Sequence, residues 1–138
     1  MNHPYTIQQF NISGEDIPQS IADKIIRFHM EPVWDIALEM GAYPSQNSSY
    51  RSEAWEKSKG RSGNSQHTFK GKGATDWTCD NFSENKEEFL SLLIENTEYI
   101  RFAVYSNFIH CDYKDTHNGE RLVFDSDSSS NWTFRKFV

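Results

Sequence analysis

Apolar residues repeat at helical spacing in the first third of the chain. Over residues 17–40 they recur at three-, four- and five-residue steps and form one apolar face. Asp16 is a suitable N-cap, and Gly41 is a suitable end of the segment. The pattern predicts a helix over 17–40, which Pro32 should kink or restart because proline donates no backbone hydrogen bond.

The pattern changes after this helix. Residues 45–73 are polar and rich in Gly, Ser and Lys, with one short extended run at 47–51, and they predict a loop region. Residues 74–78 predict a strand. An apolar face over 86–95, with Asn85 as its N-cap, predicts a second helix.

The last third of the chain has strand-like runs separated by turn residues. Strands are predicted at 100–105, 108–113, 122–124 and 132–137. Ser106 and Asn107 predict a tight hairpin, and residues 125–130 predict a second hairpin loop. The order of elements predicts an α+β fold in which N-terminal helices pack on an antiparallel sheet that ends in a strand meander.

Length, charge and the lack of long apolar runs limit the number of domains and the kinds of partner that the chain can have. With 138 residues the chain is predicted to be a single domain, residues 1–138. The net charge of −6 argues against a nucleic-acid partner, which needs a basic face. No run approaches the roughly 20 apolar residues of a membrane span, and the N-terminus lacks the basic and apolar regions of a signal peptide. We therefore expect a monomer without a membrane partner that is made in the cytoplasm.

Two cysteines, Cys79 and Cys111, leave two alternatives open. They form one disulfide, or they are reduced thiols within the fold.

Histidine and aspartate occupy one face of a predicted strand. His110 and Asp112 are two residues apart, so strand alternation places them on one side and Cys111 on the other. Such polar groups need partners. A divalent metal would satisfy His110 together with His67 and Asp76. Two imidazoles and one carboxylate leave zinc one open position, which is the catalytic pattern rather than the structural one.

Four short segments in order carry a resemblance to a known family. They are N-S-S-Y-R-S at 47–52, S-Q-H at 65–67, G-A-T-D at 73–76 and F-I-H-C-D at 108–112. This constellation resembles the M15 zinc peptidases, which include D-Ala-D-Ala carboxypeptidases and L-alanyl-D-glutamate endolysins. Its signature is an S-G-Y-R-S-like turn, S-x-H, G-x-A-x-D and a later strand histidine. The resemblance implies a fold of the hedgehog/DD-peptidase type.

The resemblance also implies roles for individual residues. His67, Asp76 and His110 match the ligands of one zinc ion per chain. Arg51 matches the arginine that holds substrate, and the alternative for it is a surface salt bridge. Ser65 binds substrate or hydrogen-bonds its own loop.

The sequence departs from the family pattern at three places. Eight residues separate His67 from Asp76, about two more than usual, and Ser49 stands where glycine is usual. Several branches place Glu or Asp three residues before the second ligand histidine, where this chain has Asn107. Asp112 is then the expected general base, or it hydrogen-bonds a ligand histidine.

The resemblance implies a zinc metallopeptidase that hydrolyses peptidoglycan stem peptides, with a zinc-activated water attacking the scissile carbonyl and Asp112 taking its proton. Cleavage at a terminal D-Ala and cleavage at L-Ala-D-Glu both remain open. The alternative function is a non-catalytic domain on the same scaffold that binds peptidoglycan or protein, for example in a phage particle. A phage or prophage enzyme of this kind would be released to the cell wall by another protein.

Overall fold

Helices pack against one face of a mixed sheet in the computed structural model, which describes residues 5–46, 48–127 and 131–138. The predicted α+β class is confirmed. The first long helical segment comprises α1 (Gln19–Ile25), a π-helical turn (Ile26–Met30) and α2 (Glu31–Met40). It begins after Pro18, so the prediction that Asp16 is its N-cap is wrong. It ends at Gly41 in the left-handed conformation with φ 66°, as predicted.

The disturbance predicted at Pro32 is present as the π-helical turn. The Glu31 N–H bonds to the Ile26 carbonyl, five residues back. Because Pro32 has no N–H, the Phe28 carbonyl loses its helical donor. The Tyr113 hydroxyl donates to that carbonyl at 2.6 Å. The residue that follows β4 therefore supplies the hydrogen bond that the proline removes from the helix.

The polar region 45–73 contains more structure than predicted. It includes a short helix, α3 (Glu53–Ser58), whose N-cap Ser52 accepts a hydrogen bond from the Trp55 N–H at 3.0 Å. Six residues are too few to show an apolar repeat, so the pattern did not predict α3. Of the predicted extended run 47–51, Asn47 lies outside the described residues and Tyr50 forms a single bridge with Asn11.

The second long helix, α4 (Phe82–Asn96), starts four residues before its predicted start at Lys86. Its N-cap is Asn81, and Asn85 lies inside the first turns, so the prediction for Asn85 is wrong. The reason is packing, because Phe82 is buried at the helix start and belongs to the core.

The described residues form a six-stranded sheet in the order β1-β2-β4-β3-β5-β6. The strands are β1 (Tyr43–Pro44), β2 (Ala74–Thr78), β3 (Arg101–Val104), β4 (Ile109–Asp112), β5 (Leu122–Ser126) and β6 (Trp132–Phe137). The predicted hairpin at Ser106 and Asn107 is confirmed by the Tyr105 N–H bond to the Phe108 carbonyl at 2.9 Å. In the predicted loop 125–130, Asp125 and Ser126 belong to β5, and residues 128–130 lie outside the described part.

The predicted meander is wrong at one pairing, because β5 runs parallel to β3. Arg121 explains the direction: its guanidinium bonds the carbonyls of Ile94, Thr97 and Tyr99 in the segment before β3. The start of β5 is thereby held beside the start of β3, with Leu122 N–H bonded to the Ile100 carbonyl at 2.8 Å.

The two faces of the sheet differ in composition: one is apolar and packs in the core, and the other carries polar and charged residues. On the helix face, residues of β2, β3 and β4 join the aromatic core: Trp77, Phe102, Val104, Ile109 and Cys111. The other face, which we call the ligand face, carries Asp76, Arg101, His110 and Asp112. The predicted separation of His110 and Asp112 from Cys111 is confirmed.

Both cysteines are buried free thiols, so the disulfide alternative is not realised. None of the described helices combines the length and apolar character needed to cross a bilayer.

Candidate metal centre

Strand register brings two of the expected ligands together. Asp76 on β2 is paired directly with His110 on β4, on the ligand face of the sheet. The third, His67, lies in a 3₁₀ turn (Gln66–Thr68) over that face. All three side chains are buried, and among the described residues they form a group able to hold a metal ion.

Hydrogen bonds from two directions hold the turn that carries His67. The Arg51 N–H donates to the His67 carbonyl at 2.9 Å. From α1, the Lys24 ammonium donates to the carbonyls of Phe69 at 3.0 Å and Gly71 at 2.7 Å. The segment between His67 and Asp76, longer than usual in the resembling family, is thus tied to the body of the protein.

The three ligand atoms lie at metal-binding separations. His67 Nε2 is 3.2 Å from His110 Nδ1 and 3.4 Å from Asp76 Oδ1. His110 Nδ1 is 3.0 Å from Asp76 Oδ1. Two atoms bound to zinc at about 2.0–2.1 Å with tetrahedral angles lie about 3.3 Å apart. The triangle therefore has the dimensions of three corners of a zinc tetrahedron.

The opposite ring nitrogens fix which nitrogen of each histidine carries a lone pair. His67 donates from Nδ1 to the Ser49 carbonyl at 2.7 Å. His110 donates from Nε2 to Asp112 Oδ2 at 2.8 Å. In the neutral imidazoles, His67 Nε2 and His110 Nδ1 are then acceptors that face the Asp76 carboxylate. Three acceptors that converge on one point can be satisfied by a proton on His110 Nδ1 or by a cation between them, so the residues present can hold a metal ion.

The charges around the centre follow from the same contacts. Burial would raise the pKa of Asp76, but His67 and His110 outweigh it and lower that pKa to about 2. Burial would lower the pKa of His110, yet the hydrogen bonds to Asp112 and Asp76 raise it to about 9. Burial dominates at His67 and lowers its pKa. Asp76 is therefore an anion at neutral pH, as a metal ligand must be.

The three ligands open onto a cleft of about 890 Å³. One wall comes from the region around α3, including Arg51, Arg61, Ser62 and Ser65. The other comes from the β3–β4 turn, where Tyr105 and Phe108 stack with ring centroids 4.5 Å apart. A space of this size is within the range of small-ligand sites. The fourth position of a bound metal would face this cleft.

Arg51 stands between the metal ligands and α3. Its guanidinium is 3.8 Å from Asp76 Oδ2 and 3.7 Å from Glu56 Oε2. Its side chain is only 14% exposed, so a surface salt bridge does not describe it. Glu56 is 1% exposed and also pairs with Arg61 at 3.4 Å. A buried carboxylate thus holds two arginines along one side of the cleft.

Ser65 and Asn107 also line the cleft. Ser65 is the N-cap of the turn that carries His67, and its backbone carbonyl accepts from the Thr68 hydroxyl at 2.7 Å. Burial would raise the pKa of Glu56, but the nearby Ser65 hydroxyl and the charges of Arg51 and Arg61 lower it. Asn107 brings an amide into the cleft at the position where several branches of the resembling family have a carboxylate.

Asp112 lies behind His110, and it is not part of the cleft lining. It is fully buried, and both of its oxygens are occupied. Arg101 donates to Oδ1 at 2.9 Å and to Oδ2 at 2.5 Å, and the Lys114 N–H donates to Oδ1 at 3.0 Å. The hydrogen bond to a ligand histidine, one of the two expectations for Asp112, is present. The geometry offers nothing in favour of the general-base expectation.

Four residues around the site were not singled out from the sequence: Glu56, Arg61, Arg101 and Trp132. Strand alternation could have placed Arg101 on the ligand face, had the pairing of β3 with β4 been known. No sequence signal indicated the positions of Glu56, Arg61 and Trp132.

Other titratable residues lie away from the cleft. Glu98 and Asp115 are exposed and do not line it. His117 is also exposed. His29 is buried on the helix face, where Nε2 donates to the Lys72 carbonyl at 2.9 Å and Nδ1 accepts from the Tyr99 hydroxyl at 2.6 Å.

Comparison of the chain with protein-family models, with curated proteins and with solved structures gave no match in any of the three. The likeness to the M15 peptidases therefore depends on the four short segments alone.

Proposed function

We propose that this protein is a zinc-dependent peptidase that acts on peptides carrying a free carboxylate. The observation that carries the proposal is the convergence of His67 Nε2, Asp76 Oδ1 and His110 Nδ1 at 3.0 to 3.4 Å at the floor of an open cleft. The resemblance narrows the proposed substrate to the stem peptides of peptidoglycan.

Two features of the cleft support a substrate of this kind. Arg51 presents a guanidinium beside the metal ligand Asp76, and a guanidinium can bind a carboxylate with two hydrogen bonds. Glu56 holds Arg51 and Arg61 on the same side of the cleft. Two arginines and one glutamate leave this wall with a formal charge of +1 in a chain with a net charge of −6.

Each residue has a task in the proposed reaction. His67, Asp76 and His110 would hold the metal, and Asp112 would keep His110 in the orientation that directs Nδ1 to it. Zinc would supply Lewis acidity that polarises a carbonyl and activates water. Arg51 would position the peptide by its carboxylate. Asn107, which is exposed and lines the cleft, would offer its amide to the peptide backbone.

The first test is the zinc content of the wild-type protein and of two histidine variants, measured by elemental analysis. We expect about one zinc per chain in the wild type and loss of zinc in His67→Ala. His117→Ala is the matched control, because His117 is exposed and outside the centre, and it should retain zinc. A wild-type protein that takes up no zinc would contradict the proposal.

The second test is hydrolysis. The zinc-loaded protein is incubated with purified peptidoglycan, with soluble stem peptides and with the same peptides amidated at their carboxylates. Mass spectrometry of the products would identify new termini and thereby the bond cleaved. We expect cleavage of the free-carboxylate peptides only, and none by His67→Ala.

A second candidate is a zinc-containing domain that binds such peptides without cleaving them. Asn107 favours it, because an amide cannot take a proton from water. Among the described residues that line the cleft, the carboxylates are Asp76 and Glu56, and both are engaged. Saturable binding of stem peptides without new termini, by a protein with one zinc per chain, would decide for this function.

A further inference from the structure

The metal ligand His110 is the first member of a chain of contacts that leads away from the cleft. His110 donates to Asp112, and Asp112 is paired with Arg101 directly across the β3–β4 ladder. The Arg101 guanidinium grips both carboxylate oxygens, with Nε 2.9 Å from Oδ1 and Nη2 2.5 Å from Oδ2. The carboxylate orients the imidazole, and the arginine orients the carboxylate.

Trp132, at the start of β6, covers this chain. The Arg101 guanidinium lies over its indole ring, 4.7 Å from the centroid. The same ring packs on the His110 imidazole with centroids 5.3 Å apart. Its Nε1–H donates to the Tyr105 hydroxyl at 2.9 Å, which ties β6 to the β3–β4 turn. One indole therefore contacts both the ligand and the arginine that acts on it through Asp112.

We propose that Arg101 and Trp132 are positioning residues of the metal centre and that the paired strands β5 and β6, which supply no ligand, set the affinity of the centre for zinc. Arg101 prevents Asp112 from rotating away from His110. Trp132 holds Arg101 in place and blocks movement of the imidazole toward β6. Outer partners of this kind change metal affinity by about 10- to 100-fold.

The inference rests on the zinc centre of the proposed function, and its test uses metal binding rather than hydrolysis. The zinc dissociation constant is measured by competition with a chromogenic chelator, and ligand geometry by the visible absorption of the cobalt-substituted protein. Arg101→Met should weaken zinc binding about 10- to 100-fold and change the cobalt spectrum. Arg101→Lys should recover part of the affinity, because it restores charge but grips only one oxygen.

Ile36→Ala is the control for instability. Ile36 is buried in the core, but it lies in α2 on the helix side of the sheet and belongs neither to the ligand face nor to the strands that carry Arg101 and Trp132. Its truncation should lower the melting temperature and leave the zinc affinity and cobalt spectrum unchanged. A general effect of instability on zinc binding would appear in this variant too.

Trp132→Leu keeps the ion pair between Arg101 and Asp112 and removes the indole ring that covers it. This variant tests the proposal if Arg101→Met fails to fold. We expect weaker zinc binding by at least several-fold. Wild-type affinity in a folded Arg101→Met or Trp132→Leu protein would overturn the role of the residue concerned. Absence of zinc from the wild type would overturn this inference and the proposed function together, whereas zinc binding without hydrolysis would contradict the peptidase proposal alone.

Discussion

Each ligand histidine uses its two ring nitrogens for different purposes. His67 and His110 each give one N–H to a fixed acceptor, a carbonyl in one case and a carboxylate in the other. The remaining lone pairs are thereby directed to the same point. The orientation of the two imidazoles, and with it the ability to hold a metal ion, thus depends on the hydrogen-bond acceptors of Ser49 and Asp112.

Asn107 is the residue at which a single substitution should change the chemistry. Asn107→Asp would bring an unpaired carboxylate into the cleft, where it can accept a proton from water. We expect hydrolysis of stem peptides to increase by about 10-fold or more, since general-base catalysis typically contributes 10²- to 10⁴-fold. The measurement is the initial rate at saturating substrate with equal zinc content.

Ser106→Asp is the control for this experiment, because it adds the same charge one residue earlier in the same turn. An equal gain in both variants would mean that the added charge, and not the position of the carboxylate, is responsible.

His29 should make stability depend on pH. Burial lowers its pKa to about 3, against an ordinary value of 6.5, so the folded protein keeps it neutral while the unfolded chain takes up a proton below about pH 6.5. Stability should therefore fall as the pH decreases from 6.5 toward 3, by up to about 1.4 kcal/mol per pH unit. Urea unfolding of the wild type and His29→Gln between pH 7 and 5 measures this, and parallel curves for the two proteins would contradict it.

Single residues were predictable where they belong to a local pattern. The alternation that placed His110 and Asp112 on one face needs only the strand itself, and it was confirmed. The contact of Asp112 with Arg101 could not be predicted, because it depends on which strands pair and in which register. Tyr113 as donor to the carbonyl opposite Pro32 is a tertiary contact of the same kind.

At the scale of elements, the segment that joins two ligands is shaped by backbone conformation. Gly73 has φ 92°, and a Cβ there would lie 2.2 Å from the Phe69 ring. Phe69 itself ends the ligand turn in the left-handed conformation. Gly71 and Gly73 are therefore not equivalent.

Gly73→Ala should destabilise the protein by more than about 2 kcal/mol, because both its backbone conformation and the packed ring oppose a side chain. Gly71→Ala is the matched control, with nothing within 4 Å of its Cβ, and its effect should stay within about 0.5 kcal/mol. The free energy of unfolding of the two variants is measured by urea denaturation. Similar urea midpoints for Gly73→Ala and Gly71→Ala would contradict the prediction.

Elements were predictable when they were long and periodic. The helical segment over 17–40 fits this description, whereas α3 has six residues and a polar sequence. The parallel pairing of β5 with β3 depends on Arg121 and three backbone carbonyls that are distant in sequence from it, which no local pattern contains.

At the scale of the whole molecule, the centre joins parts of the chain that belong to different elements. His67 lies in a turn anchored by α1, while Asp76 and His110 belong to neighbouring strands. A metal ion bound there would link the helical layer to the sheet. Ligands that bind only the folded state stabilise it in proportion to their affinity.

Zinc should therefore raise the melting temperature. At free zinc about 1,000-fold above the dissociation constant, the gain is about 4 kcal/mol of unfolding free energy. Thermal unfolding with zinc and with a chelator measures it for the wild type and for two variants. His110→Ala should show no difference between the conditions, and His117→Ala should show the wild-type shift; a zinc shift retained in His110→Ala would contradict the assigned ligand set.

The pairing of Asp76 with His110 has a consequence for the order of events in folding. A slip of β2 by one residue against β4 would turn the carboxylate to the helix face, so the ligands can meet only in the native register. The time at which zinc is bound during refolding would therefore report when the sheet has assembled. The ion can be bound only after two strands, whose ligands are 34 residues apart in the chain, have aligned. Zinc that is present from the start of refolding would stabilise the native alignment of β2 and β4, but it would not make the strands find that alignment faster.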